Sequence, residues 1–186
     1  MSETAMTEPR AAAADAPAAE ARRKWTLYLS VVGSLILVDQ VTKYVAVRTM
    51  IPYSPEPVLG DFFRLTLIYN RGAAFGVSVG DASRVFFIAL AIVAVLFLAW
   101  MYRSTPWADR ARLLAITLVT GGAIGNLIDR VRSAQGVVDF FDFGVPAYRW
   151  PVFNVADIGV TCGAILLAWS LWQEDRRHAR EKAADG

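Results

Sequence analysis

The sequence predicts an all-α membrane protein: a four-helix transmembrane bundle carrying a small β-sheet cradle on its outer face. Three observations point there. Of the 186 residues, 55% are hydrophobic and only 19% charged, whereas soluble domains carry ~25% charged residues. The apolar residues gather in four stretches, each long enough to cross a bilayer. Between the first two lies a period-2 run, Arg64 to Tyr69, bounded by Pro52, Pro55 and Pro57 on one side and by Gly72 and Gly76 on the other.

The four stretches cover about residues 25–47, 85–102, 111–128 and 152–172. At a rise of 1.5 Å per residue they are about 34, 27, 27 and 31 Å long as helices, which matches a hydrocarbon core ~30 Å thick. Four buried helices of a soluble protein would leave too little polar chain to cover them. Residues 1–24 are rich in Ala, Pro and Glu and lack an apolar core, so they do not read as a cleavable signal peptide. They are expected to form a disordered cytoplasmic tail, with Trp25 opening an uncleaved anchor helix. Residues 173–186 read as a charged cytoplasmic tail.

Four spans put both termini on one side. That side holds Arg10, Arg22, Arg23, Lys24, Arg103, Arg110, Arg112, Arg176, Arg177, Arg180 and Lys182, mostly close to span ends. The other side holds fewer basic residues over longer segments: Lys43, Arg48, Arg64, Arg71, Arg84, Arg130, Arg132 and Arg149. The positive-inside rule therefore places both termini in the cytoplasm. The outer side keeps two non-helical segments, about 48–84 and 129–151. In the first, alternation puts Leu65, Leu67 and Tyr69 on one face of a strand, so a small sheet on the membrane surface is expected.

Charged residues inside a span are costly and are functional candidates by default. Asp39 and Lys43 share one face of the first span at i, i+4; they either anchor the helix end or orient a substrate or a neighbouring catalytic group. The third span ends in Asn126, Asp129 and Arg130, again on one face, and adjacent Arg130 favours the charged form of Asp129. The fourth opens on Asn154 and Asp157, with Asp157 about 8 Å in from Val152. Asp139 stands in the outer loop between apolar neighbours. Gly121/Gly125 and Gly159/Gly163 are GxxxG pairs that permit close helix packing. With Asn70, these polar residues all map to the outer end of the bundle, although they come from five parts of the chain. That convergence indicates one polar site.

The inventory limits its chemistry. A single cysteine, Cys162, and a single histidine, His178 in the charged tail, leave no internal disulfide, no Cys-based zinc site and no plausible Ser–His or Cys–His pair. Two nearby carboxylates cannot both ionise cheaply, so one keeps its proton. The ionised one can take a proton from water while the protonated one polarises a carbonyl and protonates the leaving amine. This is aspartic peptidase chemistry, and it needs no metal and no cofactor. Asp139 and Asp157 are the best pair, because both have apolar neighbours and neither has a basic residue within four positions.

Five ordered motifs carry a resemblance: Asp39-Gln40-Val41-Thr42-Lys43, Asn70-Arg71-Gly72-Ala73-Ala74-Phe75, Gly121 through Arg130, Val137-Val138-Asp139-Phe140, and Phe153-Asn154-Val155-Ala156-Asp157. The chain resembles the bacterial lipoprotein signal peptidases (signal peptidase II), four-span aspartic peptidases of the inner membrane, over about residues 25–172. The resemblance implies that Asp139 and Asp157 are the catalytic dyad and that Asp39, Lys43, Asn70, Gly72, Asn126, Asp129, Arg130 and Asn154 support the site or bind substrate. It implies a periplasmic outer face and a prolipoprotein substrate, cleaved before a cysteine bearing diacylglycerol. Residues 70–76 are expected to cradle the substrate, or to form a plain turn, with Gly72, Ala73 and Ala74 allowing close approach. No nucleic-acid partner is expected; membrane lipids are. No long coiled-coil pattern asks for a second copy, so a monomer is expected.

Three rival readings are weaker. A transporter or channel would need a polar path across the bilayer, but the polar residues cluster at one end. A Ser–Lys peptidase would pair Lys43 with Ser30 or Ser34, which lie one or more turns deeper. A metal-dependent headgroup transferase would need several acids on adjacent turns.

Overall fold

A computed structural model describes residues 8–72 and 83–184, the side chains of residues 8–16 excepted. The elements run in the order α1 (Glu8–Thr49), β1 (Glu56–Leu59), β2 (Phe63–Asn70), α2 (Ser83–Ser104), α3 (Arg110–Arg132), β3 (Val137–Val145), β4 (Tyr148–Arg149) and α4 (Val155–Ala184). All four helices are long and apolar enough to cross a membrane. Two extend well past the expected spans. α1 begins at Glu8 rather than Trp25 and carries Pro17 inside it, and α4 continues through the charged residues beyond Trp172.

α3 is the central helix and packs against the other three. Its glycines explain why. A Cβ on Gly122 would stand 2.3 Å from the Ala156 carbonyl oxygen of α4, and one on Gly163 would stand 2.8 Å from the Ala115 oxygen of α3. Only hydrogen at both positions lets the two backbones meet at that distance. α2 has the opposite character: Val85 and Leu96 are 70% and 65% exposed. In a bilayer such a face meets lipid, where exposure of apolar area carries no hydrophobic penalty.

Two apolar clusters close the ends of the bundle. Leu98, Tyr102, Leu113 and Ile116 form the first, joined by Tyr28 and Leu27 of α1. Next to it, Lys24 Nζ donates to the Thr105 and Arg103 carbonyls at 2.6 and 3.2 Å, and Tyr102 Oη donates to the Lys24 carbonyl. This ties α1 to the α2–α3 connection. Ala46, Met50, Leu67 and Phe140 form the second cluster, which seats the sheet on the C-terminal end of α1.

The sheet is antiparallel, in the order β1-β2-β3-β4. Between Leu65 and Ile68, β2 has one more residue than β3, which pairs there through Phe141 and Asp139. Such a bulge interrupts the side-chain alternation. Through Leu67 the expected alternation still holds: Leu65 and Leu67 both pack on the cluster at the end of α1, while Arg64 and Thr66 both face Asp142. Thr66, Arg64 and Arg149 then converge on the carboxylate of buried Asp142 at 2.6 to 3.1 Å. β3 is also clipped to the lead-in of α4. Phe140 N and Phe141 N donate to the Phe153 carbonyl, and Phe153 N donates back to the Phe141 carbonyl. That clip brings Asp139 to the start of α4.

Candidate active site

Asn154 organises the site because it caps α4. Its Oδ1 accepts the backbone N–H of Asp157 at 3.0 Å, and Asp157 Oδ2 accepts the backbone N–H of Asn154 at 3.1 Å. This is a reciprocal capping box, two otherwise orphaned helix donors each satisfied by the other residue's side chain. It fixes Asp157 in the first turn of α4, at the positive end of the helix dipole. Since α4 starts at Val155 and not at Val152, Asp157 lies nearer the helix mouth than the expected 8 Å.

The Asn154 amide points the other way. Its Nδ2 donates to Asp139 Oδ1 at 2.6 Å, to Asn126 Oδ1 at 3.0 Å and to the Val138 carbonyl at 3.2 Å. Asn126 Nδ2 donates to Asp157 Oδ1 at 2.8 Å. The two aspartates are therefore held by a shared Asn154–Asn126 bridge, Asp157 from α4 and Asp139 from β3. Asp139 is on a strand, not in the loop the sequence suggested, and is 1% exposed. Its Oδ2 accepts from Asn70 Nδ2 at 3.1 Å. Burial, and then the Asp157 charge, push the Asp139 carboxyl up from its usual 3.8 to about 7, against the pull of Asn70, Asn154 and Lys43.

Asn70 is aimed by its neighbours. Its Oδ1 accepts the Gly72 N–H at 2.9 Å, which leaves Nδ2 free to face Asp139. Gly72 sits at φ +107° with the Phe87 ring so close that a Cβ would come within 2.2 Å of it. A side chain would be excluded there by both sterics and backbone strain. The same ring lies 5.5 Å from the Arg130 guanidinium, a cation–π contact. Arg84 donates to the Arg130 and Val131 carbonyls at the C-terminal end of α3. Ala73, Ala74 and Gly76, expected beside Gly72 as part of a substrate cradle, lie outside the described residues.

Beneath the dyad is an ion cluster. Lys43 Nζ has three protons and three acceptors: Asp129 Oδ2 at 2.8 Å, Asp39 Oδ2 at 2.9 Å and Asn126 Oδ1 at 3.0 Å. Each carboxylate has further donors. Asp39 Oδ1 accepts the Ala156 N–H, and Asp129 Oδ2 accepts the Val138 N–H. Gln40 Nε2 reaches both carboxylates at 3.1 Å and the Gly125 carbonyl at 3.3 Å. Arg132 in turn donates to Gln40 Oε1. Asp39 and Lys43 are 0% and 3% exposed, so the cluster binds α1, α3, α4 and β3 through fully desolvated groups. Gly125 makes it possible, since a Cβ there would stand 2.7 Å from Asp39 Oδ2.

The structure thus brings together all ten residues singled out in the sequence, with one reassignment. The partner of Asp129 is Lys43, not its neighbour Arg130. Arg130 Nη1 instead donates to the Asn126 carbonyl at 3.2 Å, one turn back on its own helix, because the sequence neighbour of a helical residue does not share its face. Two contributors were missed. Gln40 lies within the Asp39–Lys43 motif, where its sequence position alone sets no role. Phe87 is one apolar residue in an apolar span and gave no signal.

Beside Asn70 a groove of about 730 Å3 opens between Pro52 and Tyr53, Tyr69 and Arg71, and Pro151 and Val152. Asn70, which donates to Asp139, is the site residue that lines it. The site holds two carboxylates in fixed, unlike settings, with a groove bordered by Asn70 alongside.

Comparison with known proteins points to one family. A family model described as signal peptidase (SPase) II matches residues 31–173. A lipoprotein signal peptidase of Syntrophotalea carbinolica is 42% identical over 156 residues, which cover 83% of this chain and 96% of the relative. That of Cupriavidus necator is 44% identical over 155 residues, 82% of this chain and 86% of the relative. A solved structure of a bacterial membrane enzyme, obtained by the in meso method at 2.3 Å resolution, is similar with a TM-score of 0.71 at 32% identity, covering 80% of this chain and 88% of that one. With four apolar spans, a matched region that takes in every residue of the site and relatives aligned over nearly their whole length, the chain belongs to the signal peptidase II family of membrane peptidases.

Proposed function

We propose that the chain removes signal peptides from prolipoproteins by aspartic catalysis, with Asp139 and Asp157 as the dyad. The observation that carries this reading is the Asn154–Asn126 bridge, which joins two carboxylates from different elements in unlike environments beside an open groove. Asp157, in the capping box at the positive end of α4, serves as the carboxylate. Asp139, its carboxyl raised to about 7, carries the shared proton near neutrality.

In the reaction, Asp157 takes a proton from water as the water oxygen bonds to the scissile carbonyl carbon. Asp139 donates its hydrogen bond to the carbonyl oxygen, where negative charge develops. The tetrahedral adduct then collapses: the C–N bond breaks, and the amine leaves with a proton from the dyad. Asn70, Asn126 and Asn154 hold the carboxyls in place; Lys43 holds Asn126, the Gly72 N–H holds Asn70, and the α4 cap holds Asn154.

The basic residues next to α1, α4 and the α2–α3 connection support cytoplasmic termini. The site then lies at the outer leaflet and the sheet on the periplasmic side. There the groove beside Asn70 receives the chain around the cleavage point, while the acyl chains of a diacylglyceryl cysteine stay in the bilayer. A working monomer is expected, since no long coiled-coil pattern in the sequence calls for a second copy. Purified enzyme given matched lipidated and unlipidated precursors in detergent tests this specificity. The lipidated one is expected to be cut before its cysteine and the unlipidated one left intact; equal cleavage of both would overturn the assignment.

A further inference from the structure

The end of the bundle remote from the aspartates has its own concavity. It measures about 570 Å3 and is lined by Arg22, Arg23, Thr26 and Ser30 of α1 and by Trp107 of the α2–α3 connection. Arg22, Thr26 and Ser30 follow at i, i+4 and i+8, so they stack along one face, with Arg23 beside them. Lys24 does different work, because its ammonium is spent on the Thr105 and Arg103 carbonyls.

Among the described residues, Arg22, Arg23 and the Thr26 hydroxyl have no hydrogen bond or ion pair. The Trp107 indole N–H also lacks an acceptor among the described residues, whereas the remaining polar groups there are engaged. Ser30 Oγ donates to the Thr26 carbonyl, Glu20 accepts the Trp107 backbone N–H at 3.1 Å, and the Arg110 guanidinium lies 3.5 Å over the Trp107 ring. Two unpaired guanidiniums and a free hydroxyl are a donor set for an anion. Guanidinium forks fit phosphate oxygens in geometry as well as charge. The groove also sits where the charged end of α1 gives way to its apolar band, with Trp25 and Leu29 50% and 65% exposed just beyond. A ligand that fits both halves has an anionic head and an apolar tail.

We infer that this groove binds the headgroup phosphate of an anionic phospholipid, with Arg22, Arg23 and Thr26 as donors and the acyl chains lying along the exposed apolar face of α1. A free anion gains only the first half of that site. The role is separate from the peptidase reaction and independent of which residues perform it.

Native mass spectrometry of the full chain in detergent, titrated with phosphatidylglycerol or phosphatidylcholine, tests the inference. Phosphatidylglycerol is expected to bind at least about fivefold better. The pair Arg22→Ala and Arg23→Ala is expected to abolish that preference, while Arg176→Ala with Arg177→Ala at the far end of α4 keeps it. Thr26→Val leaves both charges in place and is expected to weaken binding partially, which guards against a folding defect in the first variant. Equal binding of the two lipids by the wild type would overturn the inference. So would a preference that survives loss of both arginines, or displacement of the lipid by an equal concentration of inorganic phosphate.

Discussion

Asp139→Asn and Asp157→Asn are each expected to lower turnover of a lipidated prolipoprotein by about a thousandfold or more, the upper range for loss of general acid–base catalysis, while the chain still inserts and folds. The substitution is nearly isosteric and removes the proton chemistry. The two variants differ in their side effects. Asp157 accepts the Asn154 N–H on Oδ2 and Asn126 Nδ2 on Oδ1; an Asn there that keeps its carbonyl oxygen on the cap turns its NH2 toward Asn126 and loosens that bond. Asp139 accepts an amide donor on each oxygen, from Asn154 and Asn70. An Asn there must turn its own NH2 toward one of them, so Asp139→Asn is expected to loosen Asn70 as well. Turnover assays with a melting curve for each variant separate these effects. Wild-type turnover in either variant would remove that residue from the dyad.

The largest stability effect is expected at Lys43. Lys43→Met leaves Asp39 and Asp129 facing each other without their shared cation in a region excluded from water. Removing one member of a buried ion cluster costs about 3–5 kcal/mol, enough to lower the melting temperature by roughly 10 °C in a chain of this size. Asp129→Asn is milder, because Lys43 keeps Asp39 at 2.9 Å and Asn126 at 3.0 Å. It is expected to cost about 1–3 kcal/mol and to lower turnover no more than in proportion to the folded fraction lost. Thermal melting of the purified variants in one detergent checks both. A Lys43→Met chain that melts with the wild type would mean that the cluster does not hold the bundle together, and an inactive Asp129→Asn chain of wild-type stability would place Asp129 among the catalytic groups.

The spans were legible because a bilayer imposes one crude requirement, a run of apolar residues of fixed length, and the four runs meet it. The polar site was legible for the same reason inverted: Asp39, Lys43, Asn126 and Asp157 are conspicuous where charge is expensive. Partners were less legible. Arg130 adjoins Asp129 in the sequence but lies a hundred degrees around the helix, whereas Lys43 reaches Asp129 from another helix. The bulge in β2 left no mark, since Leu65 and Leu67 keep to the cluster face and Arg64 and Thr66 to the Asp142 face, as in a regular strand. Phe87 was invisible because its role, pressing on Gly72 and Arg130, depends on where α2 enters the bundle. The capping box was written plainly as Asn154-x-x-Asp157, yet its significance required β3 to deliver Asp139 to the same asparagine.

A proton held on Asp139 makes both stability and turnover depend on pH. The Asp139 carboxyl is raised from 3.8 to about 7, so the folded chain holds a proton there that the unfolded chain has already lost. Between those values folded stability falls as pH rises, and above about 7 the dyad loses the proton it needs. The most direct measurement is kcat/KM for a lipidated precursor across pH 5 to 9. A decline on the basic side with an apparent pKa about 7, belonging to the coupled pair, is the expected result; a profile that stays level to pH 9 would contradict a proton shared between Asp139 and Asp157.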